Sequence, residues 1–491
     1  MTKINNTGNN GGSGRPRAIV WHRRDLRLDD NRALFECLSA GFEPVGFFLF
    51  DDDILKALSP TDRRVDFIRQ SVEQLARAYA RQGCLFEAVQ GTSSEEIRAA
   101  AARHGCSRIF ANRDYEPCAK DRDLAAEDAL ALDGVAMSLH KDQVVFESHE
   151  VLSLAGKLFS VFTPYKNAWL AAFSKAPPLI LPSSRLMAQL CLPPREFKGE
   201  IPPLETLGFL PANLSAIGLE PGEAGAKSAA KAFASAISSY ASDRDFPAKP
   251  ATSRLGAHFR FGTASVRRMA IWASSAGGQG AEVWLSELIW REFYSALLDT
   301  EPRLAQGECH QRKYASLSWE NDLAKFSAWK AGLTGVPLVD AAMRELAQTG
   351  HMHNRCRMIA ASYLCKHLDC DWRWGEAHFA ELLMDYDFAS NNGGWQWSAS
   401  TGADAQPYFR IFNPSLQSER FDPNADYIKR WVPELASCPA KLIHSLAEAK
   451  PASLAAAGII LGQHYPFPLV SHAAGRAAAI LKYKAASEPL A

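Results

Sequence analysis

The sequence predicts an α/β domain built on a doubly wound parallel sheet, followed by an all-helical domain. Between residues 17 and 140, short apolar runs alternate with helical patterns, which is the rhythm of repeated β-α-β units. Beyond residue 235 the pattern is helical almost throughout. Ten of the twelve tryptophans lie between residues 272 and 431. Aromatic chemistry is therefore expected in the helical part.

The first domain is expected to contain five strands and three helices. The strand runs are RAIVW (17–21), EPVGFFLF (43–50), CLFEAV (84–89), SRIFAN (107–112) and GVAMSLH (134–140). The helical patterns between them cover about 61–82, 94–104 and 117–131. Such a sheet often binds a nucleotide-like ligand beyond its strand ends. The chain has no G-x-G-x-x-G, however, so a standard dinucleotide site is not expected.

At 491 residues the chain is long enough for more than one domain. We divide it into a disordered lead-in (1–14), the α/β domain (15–145), an inter-domain connection (146–235) and the helical domain (236–491). The lead-in is polar and rich in Gly and Asn. The connection is rich in Pro, Ala and Ser, so it is expected to hold only a few short helices.

Composition narrows the class of protein. With 47% hydrophobic and 22% charged residues, the chain reads as an ordinary globular protein. No apolar run is long enough to span a bilayer, so no membrane partner is expected. The ten cysteines are scattered without a Cys-x-x-Cys pair, which favours reduced thiols and a cytoplasmic location. The formal net charge is zero, so a nucleic-acid partner would require a local basic patch.

A metal site is not expected from the histidines and cysteines. His351, His353 and Cys356 lie close together in the sequence. On a helix, however, these three side chains would point in different directions, which does not suit a shared metal ion.

The segment MDYDFASNNGGWQW (384–397) is the densest in polar and aromatic groups. It offers two carboxylates, two adjacent amides, a glycine pair and two tryptophans. The Gly393-Gly394 pair is expected to end any helix here. One reading is a solvated loop with two stray aromatic side chains. We favour the other reading, a pocket wall for a flat polar ligand, because the tryptophans flank a single residue beside many hydrogen-bonding groups.

The segment VWLSELIWREFY (283–294) predicts a helix with two distinct faces. An apolar stripe at helical spacing would face the core, and it consists of Leu285, Leu288, Ile289 and Phe293. The other face carries Glu287, Trp290, Arg291 and Tyr294. This second face suits either a salt-bridged surface or the stacking and hydrogen bonding of a flat base.

Two further segments offer groups that bind phosphate. HMHNRCRM (351–358) brings Asn354, Arg357 and Met358 onto one helical face, with Arg355 turned aside. Such arginine density indicates a phosphate clamp or a solvated face. TSRLG (252–256) precedes a helical stretch and would present hydroxyls and backbone N–H groups to a phosphate, or would simply cap the helix.

Together these segments resemble the photolyase/cryptochrome family, specifically its bacterial-type cyclobutane pyrimidine dimer photolyases. The matching text includes VWHRRDLRLDDNRAL, YASDRDFPAKPATSRL, VWLSELIWREFY, and the run from GLTGVPLVDAAMREL through YFRIFNPSLQSERFDP. It covers roughly residues 17–485. The resemblance implies a helical domain that holds FAD, active as FADH⁻. It also implies a light-driven electron transfer to a dimer flipped out of DNA, since photolyases are base-flipping enzymes.

The resemblance also implies roles for particular residues. The FAD-binding positions would be Tyr240, Thr252, Ser253, Arg254, Leu255, Gly256, Trp284, Arg291, Asn354, Arg357, Asp385, Tyr386, Asp387 and Asn391. The positions near DNA and the dimer would be Arg244, Glu287, Trp290, Asn354, Arg355, Met358, Trp397, Arg410 and Gln417. Within these sets, Glu287 would hydrogen-bond the dimer and Asn391 would face flavin N5. Trp395, Trp372 and Trp319 would form a chain that carries electrons to oxidised flavin.

The chain departs from the family pattern at two positions near the flavin. His351 stands where the family often has tryptophan, and Gly256 stands where it commonly has serine. Cys118 and Ala119 stand where folate-binding relatives place an Asn-Glu pair, so folate binding is in doubt. The antenna chromophore is left open among a deazaflavin, folate, another flavin or none.

Two functions of different classes follow from the resemblance. The first is repair of cyclobutane pyrimidine dimers in DNA by a monomeric enzyme. The second is a cryptochrome-like photosensor that signals through a partner. Glu287, Trp290, Met358 and Asn391 favour repair. A light-independent flavin oxidoreductase has little support because no nicotinamide-binding motif is present.

Overall fold

The computed structural model describes residues 14–487, so nearly all of the predicted lead-in at residues 1–14 lies outside the described residues. Five strands form a single parallel sheet in the order β3-β2-β1-β4-β5. They are β1 (Arg17–His22), β2 (Glu43–Asp51), β3 (Leu85–Gly91), β4 (Arg108–Asn112) and β5 (Ala136–His140). The predicted doubly wound sheet is confirmed, because both faces of these apolar runs are covered by helices.

Helices cover the sheet on both sides. They are α1 (Arg32–Ser39), α2 (Asp52–Leu55), α3 (Arg63–Arg81), α4 (Ser93–His104) and α5 (Pro117–Ala131). Successive residues of β1 point to opposite faces. Val20 therefore packs in the core beneath α1 and α3, whereas Ile19 and Trp21 pack in the core beneath α4 and α5. This division explains why the inner strands β1 and β2 are apolar on both faces instead of alternating.

The connection at 146–235 is more helical than its composition suggested. Its helices are α6 (Phe162–Lys175), α7 (Ser183–Ala188), α8 (Leu204–Leu207) and α9 (Gly222–Ala234). The expectation of short helices alone was wrong for α6 and α9. In α6, Phe162, Tyr165, Trp169 and Phe173 are buried at helical spacing. Their packing stabilises a helix that the surrounding Pro, Ala and Ser residues obscure in the sequence.

The remainder of the chain is helical, as predicted. Its α-helices are α10 (Tyr240–Asp243), α11 (Gly256–Arg260), α12 (Val266–Ala276), α13 (Gly278–Thr300), α14 (Leu323–Ala331), α15 (Pro337–Thr349), α16 (Asn354–Lys366), α17 (Trp372–Leu382), α18 (Phe388–Ser398), α19 (Pro414–Phe421), α20 (Asp426–Trp431), α21 (Ala440–His444), α22 (Pro451–Ala456) and α23 (His472–Ser487). Across residues 14–487, no helix combines the length and apolar character needed to cross a bilayer.

Helix α18 corrects the prediction that Gly393-Gly394 ends any helix. The helix runs from Phe388 to Ser398 through both glycines. A Cβ atom at Gly393 would lie 2.2 Å from a ring carbon of Tyr294 on α13. Each glycine costs a helix about 1 kcal/mol relative to alanine. The close packing of α18 against α13, which only glycine permits at position 393, outweighs that cost.

Candidate cofactor and substrate site

Two adjoining cavities lie in the helical part of the protein. Cavity 1 has a volume of about 400 Å³ and is lined mainly by α13, α16 and α18. Cavity 2 has a volume of about 300 Å³ and is lined by α10, the 252–257 segment, α13 and the turn before α16. The residues that line both cavities are Arg244, Glu287, Arg291, Asn354, Arg357 and Asp385. This shared wall makes the two cavities immediate neighbours, and each is of the size that ligands occupy.

Most of the predicted site residues meet at these cavities. Every predicted FAD-binding position lines cavity 1, cavity 2 or both. Of the predicted DNA and dimer positions, those that line cavity 1 are Arg244, Glu287, Trp290, Asn354, Arg355, Met358 and Trp397. Arg410 and Gln417 are not among the described residues that line either cavity. Arg410 is exposed and Gln417 is half-buried, in the segment around α19.

Helix α13 presents its polar face to cavity 1, as its spacing predicted. Glu287, Trp290, Arg291 and Tyr294 all line this cavity, while Leu285, Leu288, Ile289 and Phe293 are buried. Two helical faces with different chemistry therefore separate the hydrophobic core from the site.

Glu287 is held by an arginine from the opposite wall. Arg244 Nη1 donates to Glu287 Oε1 at 2.5 Å. Burial alone would lower the pKa of Arg244, but the hydrogen bond and charge of Glu287 raise it above its ordinary value. Glu287 therefore faces the cavities as a carboxylate that already has one cationic partner.

Trp290 is fixed in orientation by a second aromatic ring. Phe162 of α6 stacks on it with ring centroids 3.7 Å apart and planes 8° apart. Phe162 is buried, whereas Trp290 lines cavity 1. The connection between the domains thus supports Trp290, a residue of the cavity wall, through Phe162.

Helix α18 places three functional groups along one face. Asp387 caps the helix, because its Oδ1 accepts from the backbone N–H of Ser390 at 3.1 Å. Asn391 follows one turn later, and Trp395 a turn after that, and all line cavity 1. Asn391 Nδ2 donates to Glu376 Oε1 at 2.8 Å, so the amide presents its oxygen to the cavity.

Asp385 and Arg357 form a paired wall between the two cavities. Arg357 Nη2 donates to both carboxylate oxygens of Asp385, at 2.9 and 3.0 Å. Burial would raise the pKa of Asp385, but the charge and hydrogen bond of Arg357 lower it. A Cβ atom at Gly256 would lie 2.6 Å from Asp385 Oδ2. The departure from serine at position 256 therefore leaves room for the Asp385 carboxylate.

Asp387 carries its negative charge into the wall of cavity 1. Burial would raise its pKa, but the positive charges of Arg24 and Arg291 hold it well below the ordinary value. Arg291 is half-buried, the loss of hydration lowers its pKa, and its Nη1 donates to the backbone oxygen of Gln143 at 2.7 Å. The site thus holds partly buried charges that are paired with one another.

Two of the three tryptophans of the predicted electron chain, Trp372 on α17 and Trp395 on α18, lie on helices that pack against each other. Trp395 and Trp372 are buried and Trp319 is half-buried. Gly375 lies one turn after Trp372 on α17, and a Cβ atom there would lie 2.0 Å from Trp395 Cη2. The backbone of α17 therefore touches Trp395. At the other end, Lys482 Nζ lies 3.7 Å from the centre of the Trp319 ring.

Comparison with known proteins fits this geometry. A family model described as DNA photolyase matches residues 18–183, and one described as the FAD binding domain of DNA photolyase matches residues 284–485. The deoxyribodipyrimidine photo-lyase of Vibrio cholerae is 38% identical over 491 residues, which cover 95% of this chain and 99% of that protein. The chain belongs to the DNA photolyase family. The fold and cavities described above are thus those of a photolyase-family protein.

Solved structures of this family share the fold over nearly the full length. A class III photolyase from Agrobacterium tumefaciens is similar with a TM-score of 0.87 and 33% identity, covering 98% of this chain and 99% of that chain. A cryptochrome from Synechocystis is similar with a TM-score of 0.85 and 27% identity, covering 95% and 99% respectively. Because both kinds of protein share the fold, function within the family has to be argued from the site residues.

The chemistry of the two cavities fits FAD, the cofactor named in the matched domain model. Cavity 2 carries Arg254, the hydroxyls of Thr252 and Ser253, and backbone groups, a donor set that suits a pyrophosphate. Cavity 1 carries aromatic walls and an amide, which suit a flat heterocyclic ring. The residues predicted to bind FAD therefore carry the charges and aromatic rings that suit this cofactor.

Several residues of this photolyase-family site were not predicted from the sequence. They are Arg24, which binds Asp387, Phe162, which stacks on Trp290, Asp245, which binds Arg355, and Glu376, which binds Asn391. His351, noted only as a departure, lines cavity 2 and bonds Glu345 through Nδ1 at 3.2 Å. Local sequence patterns carry no signal for these contacts, because each partner lies on a different element.

Proposed function

We propose that this protein is a deoxyribodipyrimidine photo-lyase, a carbon–carbon lyase that splits cyclobutane pyrimidine dimers in DNA with blue light. One observation carries the proposal. Cavity 1 brings Glu287, Trp290, Met358, Asn391 and Trp397 to a single space, although they come from three helices. Aromatic faces, a carboxylate and an amide in one cavity suit a flipped-out pair of pyrimidines beside a flavin ring.

The proposed FAD site uses both cavities. Tyr240, Trp284 and residues 252–256 would hold the phosphate and nucleotide portion in cavity 2. Arg357 and Asp385, on the shared wall, would hold the middle of the cofactor. The chemistry that bound, reduced FAD would supply is a light-driven electron for the dimer, which would return to the cofactor after the cyclobutane ring opens. The oxygen of Asn391 would accept a hydrogen bond from the ring without adding a negative charge.

The proposed dimer site occupies the rest of cavity 1. Trp290 and Trp397 would pack against the extruded bases, since stacking on aromatic rings is worth about 1–3 kcal/mol per base. Glu287 would accept hydrogen bonds from base N–H groups while Arg244 balances its charge. Asn354, Arg355, Arg410 and Gln417 would contact the DNA around the lesion, where an exposed arginine binds phosphate oxygens.

The tryptophans behind the cavity would supply electrons to oxidised flavin. Trp395 lines cavity 1, Trp372 lies on the adjoining helix α17, and Trp319 is the half-buried end of the proposed chain. This route serves activation of the cofactor and is separate from repair itself. A second, antenna chromophore remains a prediction, with a deazaflavin, folate or a flavin as the candidates.

Repair under light is the deciding experiment. The purified protein is reduced chemically, mixed with DNA that carries a thymine dimer, and assayed for dimer loss under blue light and in darkness. We expect loss only under light. A flavin-loaded, reduced protein that repairs nothing in either condition would contradict the proposal and would favour the cryptochrome-like photosensor.

Variants on one helix sharpen this experiment. Glu287→Ala should lower the repair yield while FAD stays bound, because its carboxylate faces the dimer in the proposed site. Glu282→Ala is the matched control, since Glu282 lies on the same helix but is exposed. Loss of FAD in Glu287→Ala alone would instead make Glu287 a cofactor-binding residue.

A further inference from the structure

Arg24 reaches from the N-terminal sheet to the wall of cavity 1. It lies just after β1, and its Nη2 donates to Asp387 Oδ2 at 2.5 Å. Its Nη1 is shared between Asp114 at 3.2 Å and Glu116 at 2.8 Å, two carboxylates that follow β4. The Arg24 side chain is only 11% exposed, so solvent screens these contacts little. One arginine therefore joins the α/β domain to a predicted FAD-binding carboxylate.

The contact occurs at the point of the sheet where the strand order reverses. Strands β1 and β4 are neighbours there. From this point, β2 and β3 follow β1 on one side of the sheet, and β5 follows β4 on the other. In doubly wound sheets, the crevice beyond the carboxyl ends of these strands is where a ligand binds. Here Arg24 Nε donates to the backbone oxygen of Arg260 at 3.2 Å. The backbone N–H of Leu26 donates to the backbone oxygen of Phe261 at 3.1 Å. Helical-domain residues thus dock where a ligand binds in other sheets.

Asp387 uses its two oxygens for two different tasks. Oδ1 accepts from the N–H of Ser390 at 3.1 Å and from its hydroxyl at 2.9 Å, which fixes the first turn of α18. Oδ2 accepts from Arg24. Asn391 lies one turn further along the same helix and also lines cavity 1. The position of Arg24 is therefore transmitted to Asn391 through a single carboxylate and one helical turn.

We propose that Arg24 is a positioning residue of the FAD site that acts through Asp387. This inference rests on the proposed function, in which Asp387 and Asn391 bind FAD. Without Arg24, Asp387 loses its shortest cationic contact and keeps Arg260 Nη1 only at 3.7 Å, so its largely buried carboxylate is less well compensated. The start of α18 then shifts, and the cavity wall gains negative charge beside a ring that is itself anionic when reduced. FAD binding weakens, and the reduced state loses stability.

Arg24→Gln tests the proposal against a neighbouring control. Arg23 lies in the same loop with a 9% exposed side chain, but it binds Asp123 and the backbone oxygen of Asn112, both within the α/β domain. Arg24→Gln should raise the FAD dissociation constant of the apoprotein about tenfold, or about 1.4 kcal/mol. It should also lower the flavin midpoint potential. Arg23→Gln should lower the melting temperature and leave both FAD quantities unchanged.

Arg24→Lys provides the conservative variant. Lysine keeps the positive charge, but its single ammonium group lacks the planar guanidinium that bonds several carboxylates at once. We therefore expect Arg24→Lys to have the same flavin midpoint potential as the parent protein. Its FAD dissociation constant should rise two- to threefold. If Arg24→Gln does not fold, this variant decides the question, and an unchanged dissociation constant overturns the proposal.

The remaining outcomes separate the two proposals. Parent-like FAD affinity and potential in a folded Arg24→Gln overturn the positioning role alone. Equal losses in Arg23→Gln and Arg24→Gln also overturn it, because they reduce the effect to general packing of the α/β domain. Failure of the parent protein to bind FAD overturns the proposed function and this inference together. Normal FAD binding without light-driven repair overturns the repair function only.

Discussion

The amide of Asn391 is oriented by the carboxyl group of Glu376. Asn391 Nδ2 donates to Glu376 Oε1 at 2.8 Å and to its backbone oxygen at 3.1 Å. Burial raises the pKa of Glu376, while the hydrogen bond from Asn391 opposes that rise. With its nitrogen engaged in this way, the amide turns its oxygen toward cavity 1.

Replacement of Glu376 should therefore change the flavin potential without removing the cofactor. In Glu376→Ala the amide loses its fixed orientation, and its oxygen accepts less well from the proposed flavin N–H. One such hydrogen bond is worth about 1 kcal/mol, or about 40 mV in a one-electron step. We expect a potential lower by that order in a spectroelectrochemical titration. Glu381→Ala, at an exposed position of the same helix, should leave the potential unchanged. Equal shifts in both variants would contradict the orienting role.

The stack between Phe162 and Trp290 predicts a selective loss of dimer binding. Phe162→Leu removes a ring whose centre lies 3.7 Å from that of Trp290. Aromatic pairs contribute about 0.5–1.5 kcal/mol beyond burial. Affinity for dimer-containing DNA should therefore fall by up to about tenfold, while FAD content and affinity for undamaged DNA stay the same.

Phe173 offers a matched control for that measurement. It lies on the same helix, is equally buried, and stacks on Trp169 at 4.9 Å, away from the residues of cavity 1. Phe173→Leu should reduce stability without a specific effect on dimer binding. The proposed role of Phe162 fails if the two variants lose dimer affinity equally.

The sequence was most informative where a single element determines its own structure. The inner strands β1 and β2 were recognisable as apolar runs because both of their faces are buried. The spacing of Leu285, Leu288 and Phe293 was sufficient to orient α13 and to place Glu287 on the side of the cavity. The assignment of roles within the site, in contrast, depended on the family resemblance.

Contacts between distant elements could not be predicted from local patterns. Arg24 and Asp387 are 363 residues apart, and Asn391 and Glu376 are 15 apart on separate helices. The glycine pair in α18 led to a wrong prediction of a helix end, because the contact that favours glycine there comes from another helix. Helix propensity disfavours glycine, but the ring of Tyr294 occupies the space that a side chain at position 393 would need.

The electron route to oxidised flavin can be tested at its outer end. Trp319→Phe should slow photoreduction of the oxidised flavin at least several-fold, yet spare repair by chemically reduced enzyme, because the chain serves only activation. Transient absorption measures the first effect and the dimer assay measures the second. Trp329→Phe is an informative comparison, since Trp329 contacts the Trp395 ring edge-to-face at 6.0 Å. If photoreduction is normal in Trp319→Phe but slow in Trp329→Phe, the electron route passes through Trp329 and not through Trp319.

Lys366 is a buried amine whose protonation links stability to pH. Its Nζ donates to Ser400 Oγ at 3.0 Å and lies 3.4 Å from the centre of the Tyr483 ring. Burial is the main cause that lowers its pKa to about 7, with the charge of Lys482 adding to the effect and Cys365 opposing it. In the unfolded chain the amine returns to an ordinary pKa of about 10.4. Between these values the unfolded state binds more protons than the folded state.

The contribution of Lys366 to the free energy of unfolding should consequently rise with pH between about 7 and 10, whereas the thiols of Cys37 and Cys356, whose pKa burial raises, act in the opposite direction. The largest slope from one such group is about 1.4 kcal/mol per pH unit. Lys366→Met removes the titrating group. The free energy of unfolding of this variant, relative to that of the parent protein, should therefore fall by about 2–3 kcal/mol from pH 7.5 to 9.5. Urea unfolding at a series of pH values measures this difference. Lys330→Met, at an exposed position, should follow the parent curve. Parallel curves for Lys366→Met and the parent protein would show that the amine stays protonated in the fold throughout this range.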